Sequence, residues 1–455
     1  MKKWSVLLML TAFAVILSAA VQPVKPGEKV LFFGDSITHG GRYIAFFQLL
    51  LDSRGIAGTD MMNAGISGGT ATGGLRRIQH DVIDRKPDRV FILFGMNDVG
   101  RWLYKTDSPQ NLQNRKNRLE TYTASQKKII AMLKAAGITP VLMTPTAYDQ
   151  YQKDEADNLR CNEPGLSDVA DIVRKLAKEE NLELIELHPY MTDMLKKHPD
   201  LQLCGKDLVH PIHAGHMVMA LLIADQLGIT GPVADVTIPV SGKVQSRFAA
   251  ISGLQTAPDR VQFRYEPERL AVDLSIKIHN NPVFKDVETI FPLFENLNRE
   301  MLRVTGLADG NYSVKADDKE LGIFSAAQLS SGIDLGKLET PNRARSIQAM
   351  KSAWAFYNAS SQPRGLVQCR QLIASGKYGT PDPGDHQAVG EALDKWLADH
   401  KPDWAYRKYY TNVVNNYKKN APQEAEMKAA LLRARKKLQE DARPVSYTLT
   451  IEKVR

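Results

Sequence analysis

From residue 29 to residue 226 the apolar positions alternate between two kinds of run. Short apolar runs at 30–33, 61–64, 90–94, 141–143 and 182–185 have the length of buried strands. Between them apolar residues recur at helical spacing over 43–51, 75–83, 119–136 and 166–178, and again over 217–226 after the last short run. Five strands alternating with helices predict a parallel sheet covered by helices on both sides. Such a sheet binds its ligand at the carboxyl ends of its strands, beside the point where strand order reverses.

Beyond Leu227-Gly228-Ile229-Thr230-Gly231 the period changes. Leu270, Val272, Leu274, Ile276 and Ile278 alternate with polar residues, which predicts a half-buried strand. Residues 302–307, an Asp309-Gly310 turn and residues 312–316 read as a hairpin. Residues 340–440 are helical in pattern, with Val389, Leu393, Trp396 and Leu397 on one face. A last alternating run, Val445, Tyr447, Leu449 and Ile451, predicts a strand that rejoins the β region after this helical excursion.

The N-terminus stands apart. Lys2 and Lys3, an apolar stretch over 4–17 and Ser18-Ala19-Ala20 have the layout of a secretory signal peptide. The stretch is shorter than the roughly 20 residues a membrane span needs. No cysteine stands near the cleavage site to carry a lipid, and no later run is long and apolar enough to span. The expectation is export to the periplasm or beyond, without stable membrane insertion.

Composition adds little to this picture. The 455 residues are 43% hydrophobic and 24% charged, ordinary for a globular protein and enough for two domains. Formal charge is +8, or +6 once Lys2 and Lys3 leave with the signal. Residues 401–455 alone hold 13 Lys/Arg against 6 Asp/Glu, so the basic excess belongs to the tail. Three cysteines, Cys161, Cys204 and Cys369, are too few for a disulfide scaffold. Export permits one bridge, between Cys161 and Cys204; free buried thiols are the equal alternative.

Candidate chemistry gathers at the ends of the predicted strands. Ser36 follows the first strand, Gly68 the second and Asn97 the third, while Asp207 and His210 stand three residues apart in Asp207-Leu208-Val209-His210-Pro211. A serine hydroxyl needs a base to take its proton, and the base needs a third group to hold its tautomer. His210 suits the base and Asp207 the orienting acid. The backbone N–H groups of Ser36 and Gly68, with the Asn97 amide, suit a developing oxyanion. Ser67, in Gly65-Ile66-Ser67-Gly68-Gly69, also matches the G-x-S-x-G nucleophile elbow. That elbow lies after a strand deep in a larger sheet, whereas one strand alone precedes the run that leads to Ser67. We therefore read Ser67 as positioning the loop that presents Gly68.

Together these residues resemble the SGNH hydrolases, or GDSL-type esterases. Gly34-Asp35-Ser36-Ile37-Thr38 is similar to the family's first block, Gly68 to the second-block glycine, Asn97 to the third-block asparagine, and Asp207 with His210 to the last block. The resemblance covers about residues 28–228. It implies a three-layer α/β/α flavodoxin-like fold with a five-stranded parallel sheet, and an ester-hydrolysing triad of Ser36, His210 and Asp207. It also implies an oxyanion hole of Ser36, Gly68 and Asn97, and neither metal nor organic cofactor.

The expected organisation is a signal peptide at 1–20, a hydrolase domain at 24–231 and a C-terminal antiparallel β domain at 232–455. Within the last, strands occupy about 236–335 and 444–455 around a helical insertion at about 340–440. The expected activity is that of an exported serine esterase acting on O-acetyl groups of a small carbohydrate or polysaccharide, with no nucleic-acid partner. A lysophospholipase or thioesterase of the same fold, and a non-catalytic glycan-binding protein, are the alternatives. The sequence leaves the oligomeric state open. Asp35 and Asp98 are expected to hold loops, Arg76 and Arg77 to lie on a solvated helix face, and Tyr148 to pack a loop. His213 and His216 fall in the first turn of the last helix, with metal binding a minor alternative. Trp396, Trp404, Tyr406, Tyr409, Tyr410 and Tyr417 are expected to form helix–helix core.

Overall fold

The computed structural model describes residues 21–151, 158–275, 277–278, 281–282, 284, 287 and 293–454, so the signal-peptide reading lies outside the described residues. The first sheet contains β1 (Lys29–Gly34), β2 (Asp60–Gly65), β3 (Arg89–Leu93), β4 (Thr139–Met143) and β5 (Glu183–Ile185). Every pairing in it is parallel and the order is β2-β1-β3-β4-β5. The chain steps from β1 outward to β2, then back across β1 to β3, so strand order reverses between β1 and β3.

The helices of this half are α1 (Ser36–Gly40), α2 (Arg42–Ser53), α3 (Ala71–Asp81), α4 (Pro109–Ala135), α5 (Ser167–Glu180), α6 (His188–Lys197) and α7 (His213–Gln226). Right-handed crossovers place α2 and α3 on opposite faces of the sheet. α2 packs on α7, and α3 on α4. α4 begins at Pro109, well before its apolar period does at Leu119. Ser108 caps it by accepting from the Asn111 N–H at 3.2 Å, and Pro109 opens its first turn.

The C-terminal region builds two further main sheets. β6 (Ala234–Pro239), β7 (Gln245–Arg247), β12 (Glu300–Thr305) and β15 (Ile333–Asp334) lie in the order β15-β12-β6-β7. β8 (Ala249–Ala257), β9 (Arg260–Pro267), β13 (Asn311–Ala316), β14 (Lys319–Ser325) and β16 (Tyr447–Lys453) lie in the order β14-β13-β16-β9-β8. A two-residue pair, β10 (Lys277–Ile278) and β11 (Asn281–Pro282), stands apart. Pairing in these sheets is antiparallel except between β6 and β12. Val236, Ile238, Phe263, Leu302, Val314 and Leu449 share one core.

Two expectations change here. β12 and β13 do not form a hairpin: β12 pairs with β6 and β15, β13 with β14 and β16, and residues 306–310 cross from one sheet to the other. Period-two patterning tells which face is buried, not which strand is the neighbour. The stretch 270–275 is irregular, although Leu270, Val272 and Leu274 are buried as their spacing suggests. Its backbone groups are met elsewhere. The Leu270 N–H donates to Ser53 O, its carbonyl accepts from Arg54 Nη1 at 2.6 Å, and the Asn298 amide closes both bonds to Val272. Ile276 lies outside the described residues.

The remaining helices are α8 (Leu293–Asn298), α9 (Ala326–Ser331), α10 (Pro341–Leu372), α11 (His386–Ala398), α12 (Arg407–Asn420) and α13 (Glu424–Asp441). α10 and α13 pack on each other and both rest on α2. Their Ala349, Met350, Ala353, Phe356 and Leu438 join the core of the parallel sheet. This explains why α2 is buried on every side from Tyr43 to Ser53: it lies between the sheet and this helical pair. α10 runs onward to the carboxyl end of β2, where Arg364 donates to Gly65 O at 2.7 Å.

Candidate active site

Ser36 is the first residue of α1, directly beyond interior strand β1, and Asn97 lies beyond β3; together they flank the reversal of strand order. Asp35 caps the turn, its carboxylate accepting from the Ile37 N–H at 2.9 Å. Burial pushes the Asp35 pKa up to about 6, against that hydrogen bond and the positive charge of Arg101.

Ser36 Oγ lies 2.8 Å from His210 Nε2, and His210 Nδ1 lies 2.5 Å from Asp207 Oδ2. A carboxylate only accepts, so Nδ1 carries the proton and Nε2 is left to accept from the serine hydroxyl. The loop is built for this alignment. Cys204 and Pro211 form a β-bridge at its base, and Gly205 N–H donates to His210 O at 2.8 Å. Asp207 Oδ1 accepts from the N–H groups of Val209 and His210, both at 3.0 Å. Burial alone would raise the Asp207 carboxyl, but the His210 ring and these backbone donors outweigh it and hold it well below the usual carboxylate range. Leu208 takes a left-handed conformation, φ 59°, and buries its side chain beneath the loop. His210 and Asp207 each keep about half of their side-chain surface in solvent, at 49% and 52%.

The second and third loops meet the first. Gly68 adopts φ 72°, and a Cβ there would find open space, so it is the backbone conformation that favours glycine. Asn97 Nδ2 donates to Gly69 O at 2.9 Å, leaving its second N–H. Gly69 in turn packs against the Asp35 backbone. Asp98 ties the Asn97 loop down by accepting from Ala71 N–H at 2.8 Å and Gly95 N–H at 3.1 Å, and burial pushes its pKa up to about 7. Asp35 and Asp98 are thus loop-holding groups, as expected.

The two serines have separate imidazoles. Ser67 lies just beyond edge strand β2, and its N–H and hydroxyl lie 3.2 Å and 3.1 Å from His39 Nδ1. Burial, with Arg364 and Arg77 nearby, lowers the His39 pKa to about 4, so the ring is neutral and accepts. Ser67 is therefore bound into the loop that carries Gly68. His216 is buried and stacks on Tyr43 at 6.0 Å, and His213 leans on Trp354 at 4.6 Å. Among the described residues no group of three His, Cys, Asp or Glu is placed to hold a metal. All three cysteines are free and buried, so Cys161 and Cys204 are not bridged. Tyr148 is buried and accepts from Leu159 N–H at 3.1 Å, packing a loop.

One expectation is overturned beside the site. Arg77 is not on a solvated face. It is buried, donates to Gly34 O at 2.9 Å and Ala64 O at 2.8 Å, and pairs with buried Asp81. Asp81 also receives Arg364, which is buried and arrives from α10. Helical spacing marks a face, but the partner that buries this one lies 283 residues away. The aromatic cluster is mixed. Tyr417 is buried, Trp396, Trp404 and Tyr410 pack ring against ring, and Tyr406 and Tyr409 stay exposed.

Residues 32–218, which hold all of the parallel sheet but the start of β1, and also Ser36, Gly68, Asn97, Asp207 and His210, match the model of the GDSL-like lipase/acylhydrolase family. An acetylxylan esterase from Geobacillus stearothermophilus is 31% identical over 218 residues, 44% of this chain and 94% of the relative. An uncharacterized lipoprotein from Bacillus subtilis is 32% identical over 124 residues, 26% of this chain and 48% of the relative. Among solved structures, a gut microbial diltiazem-metabolizing enzyme superposes with a TM-score of 0.82, covering 96% of this chain and 100% of its own at 23% identity. That likeness is one of fold, and it takes in the C-terminal region as well as the parallel sheet.

Proposed function

The chain belongs to the GDSL-like lipase/acylhydrolase (SGNH) family and is an esterase of that family, and from this premise we propose that it is an exported serine esterase that removes acetyl groups from carbohydrate. The observation that carries the reading is the hydrogen-bonded line from Ser36 through His210 to Asp207. Ser36 Oγ attacks the ester carbonyl as His210 Nε2 takes its proton. The N–H groups of Ser36 and Gly68 and the free N–H of Asn97 receive the oxyanion. The imidazolium, oriented by Asp207, returns the proton to the departing sugar hydroxyl. A water then repeats the sequence on acetyl-Ser36, releasing acetate and the free serine.

Two observations favour a glycan ester. The acetylxylan esterase aligns along nearly its whole length. His210 and Asp207 stand half in solvent, which admits a bulky alcohol on a polymer. Export rests on the layout of residues 1–20, and among the described residues no helix is long and apolar enough to cross a membrane. We assign the chemistry to residues 24–231, braced by residues 232–455.

The test is acetate release from acetylated xylan, acetylated pectin and acetylated sialic acid, beside medium- and long-chain lipid esters. Acetate from a glycan, lost in Ser36→Ala, is the expected result. Preference for long acyl chains overturns the carbohydrate reading.

A further inference from the structure

A polar cleft of about 480 Å³ opens beside the oxyanion loops, walled by Thr70, Asp98, Trp102, Asn114, Asn117 and Arg118. We propose that it is a glycan subsite, in which Trp102 stacks on a neutral pyranose next to the acetylated one; this rests on the carbohydrate reading above.

The cleft adjoins the reacting groups through two loops. Thr70 stands two residues after Gly68, and Asp98 one after Asn97. Two residues of backbone reach at most about 7 Å, so the cleft starts where the proposed oxyanion donors end. A glycan whose ester lies at Ser36 would carry its neighbouring ring over the Gly69–Asn97 contact into this space.

The wall chemistry suits such a ring. Trp102 leaves 59% of its surface in solvent, whereas Trp354, Trp396 and Trp404 each pack against neighbouring rings. Arg118 covers the Trp102 ring at 4.9 Å while donating to Asn97 O at 2.8 Å and Asp98 O at 2.7 Å. Gly100 makes room for it, since a Cβ there would lie 2.5 Å from Arg118 Nε. The guanidinium thus fixes both the indole and the oxyanion loop. A flat, rigid aromatic surface matches the C–H face of a pyranose and loses little conformational freedom on binding.

The opposite wall supplies hydroxyl partners. Asn114, Asn117, Arg118 and Thr121 recur at helical spacing on one face of α4. Asn114 accepts from Gln110 Nε2 at 3.0 Å and Asn117 from Gln113 Nε2 at 2.7 Å. Each therefore keeps an NH₂ group with no partner among the described residues. Asp98, the carboxylate in the wall, spends its oxygens on Ala71 and Gly95, and Arg118 spends Nε and Nη2 on the Asp98 and Asn97 carbonyls, so Asn114 and Asn117 offer neutral donors beside two charged groups already engaged by backbone.

The experiment pairs activity with binding. Wild type, Trp102→Ala and Trp102→Phe are compared on acetylated xylo-oligosaccharide and on para-nitrophenyl acetate, and unacetylated xylo-oligosaccharide is titrated by calorimetry. In Trp102→Ala the ratio of kcat/KM on the oligosaccharide to that on the small ester should fall roughly tenfold, the size of one lost stacking contact. The loss should sit in the KM for oligosaccharide, Trp102→Phe should recover most of it, and calorimetric affinity should drop in step. An unchanged ratio, or equal losses on both esters, overturns the subsite. Trp102-dependent binding without acetate release would sink the esterase reading and leave the subsite standing.

Discussion

Asp81 holds two buried arginines behind the loops of the site, and Asp81→Asn tests that role. Its carboxylate is buried between two buried guanidinium groups. Arg364 donates Nη1 to Oδ1 at 2.6 Å and Nη2 to Oδ2, and Arg77 donates Nη1 to Oδ2. The remaining donors of the two arginines hold Gly34 O, Ala64 O and Gly65 O, the last carbonyls of β1 and β2 before the loops of Ser36 and Gly68. Asparagine keeps the shape, removes the one negative charge and turns an acceptor into a donor aimed at donors. Removing one partner of a buried pair costs about 3–5 kcal/mol. For a unit of some 200 residues that lowers the melting midpoint by roughly 6–20 °C. The pH dependence has a definite sign. Burial would raise the Asp81 carboxyl, but Arg364 and Arg77 outweigh it and hold its pKa below the ordinary value. Its contribution is therefore complete above the unfolded carboxylate pKa of about 3.9 and is lost as pH falls through the lower folded value. Thermal melts of wild type and Asp81→Asn should differ by a constant gap from about pH 5 to pH 8 that narrows below about pH 4. A gap under about 3 °C at neutral pH, near 1 kcal/mol or less, would refute the idea that this carboxylate neutralises the two arginines.

Three other outcomes are expected. Ser67→Ala keeps most of the esterase turnover, because its hydroxyl bonds His39 and not His210; steady-state kinetics checks this. Asp207→Asn lowers kcat by roughly 10³–10⁴-fold while substrate still binds, since the amide presents a donor or a weaker acceptor to His210 Nδ1. In a pH–rate profile Asp207 adds no limb in the ordinary carboxylate range, because its carboxyl is held far below it. A limb in that range that disappears in Asp207→Asn would contradict this.

The strands of the first sheet were legible because each is a short, largely apolar run, buried on both faces in β1, β3 and β4, and β1 through β5 lie where those runs fall. The placement of Ser36, Asn97, Asp207 and His210 was legible because a residue just past a strand stays at that strand's carboxyl end whatever the distant packing. Partnership over distance was not. β12 and β13 carry the alternation of a hairpin yet belong to different sheets. Leu270, Val272 and Leu274 bury at period two although side chains and the end of α2 satisfy the backbone of Leu270 and Val272. Arg77 has the spacing of a surface residue until α10 brings Arg364 onto the same carboxylate. The excess of apolar residues around α2 was the visible trace of that cover, since a helix buried on all sides needs a second layer.

The most direct measurement of the central claim is the site of the acyl group during turnover. Acid-quenched enzyme from a reaction with an acetyl ester, digested with trypsin and mapped by mass spectrometry, should carry one acetyl on the peptide spanning residues 30–42, at Ser36. The mark should vanish in Ser36→Ala. An acetyl group at Ser67, on the peptide spanning residues 55–76, would contradict the account, as would unimpaired turnover by Ser36→Ala.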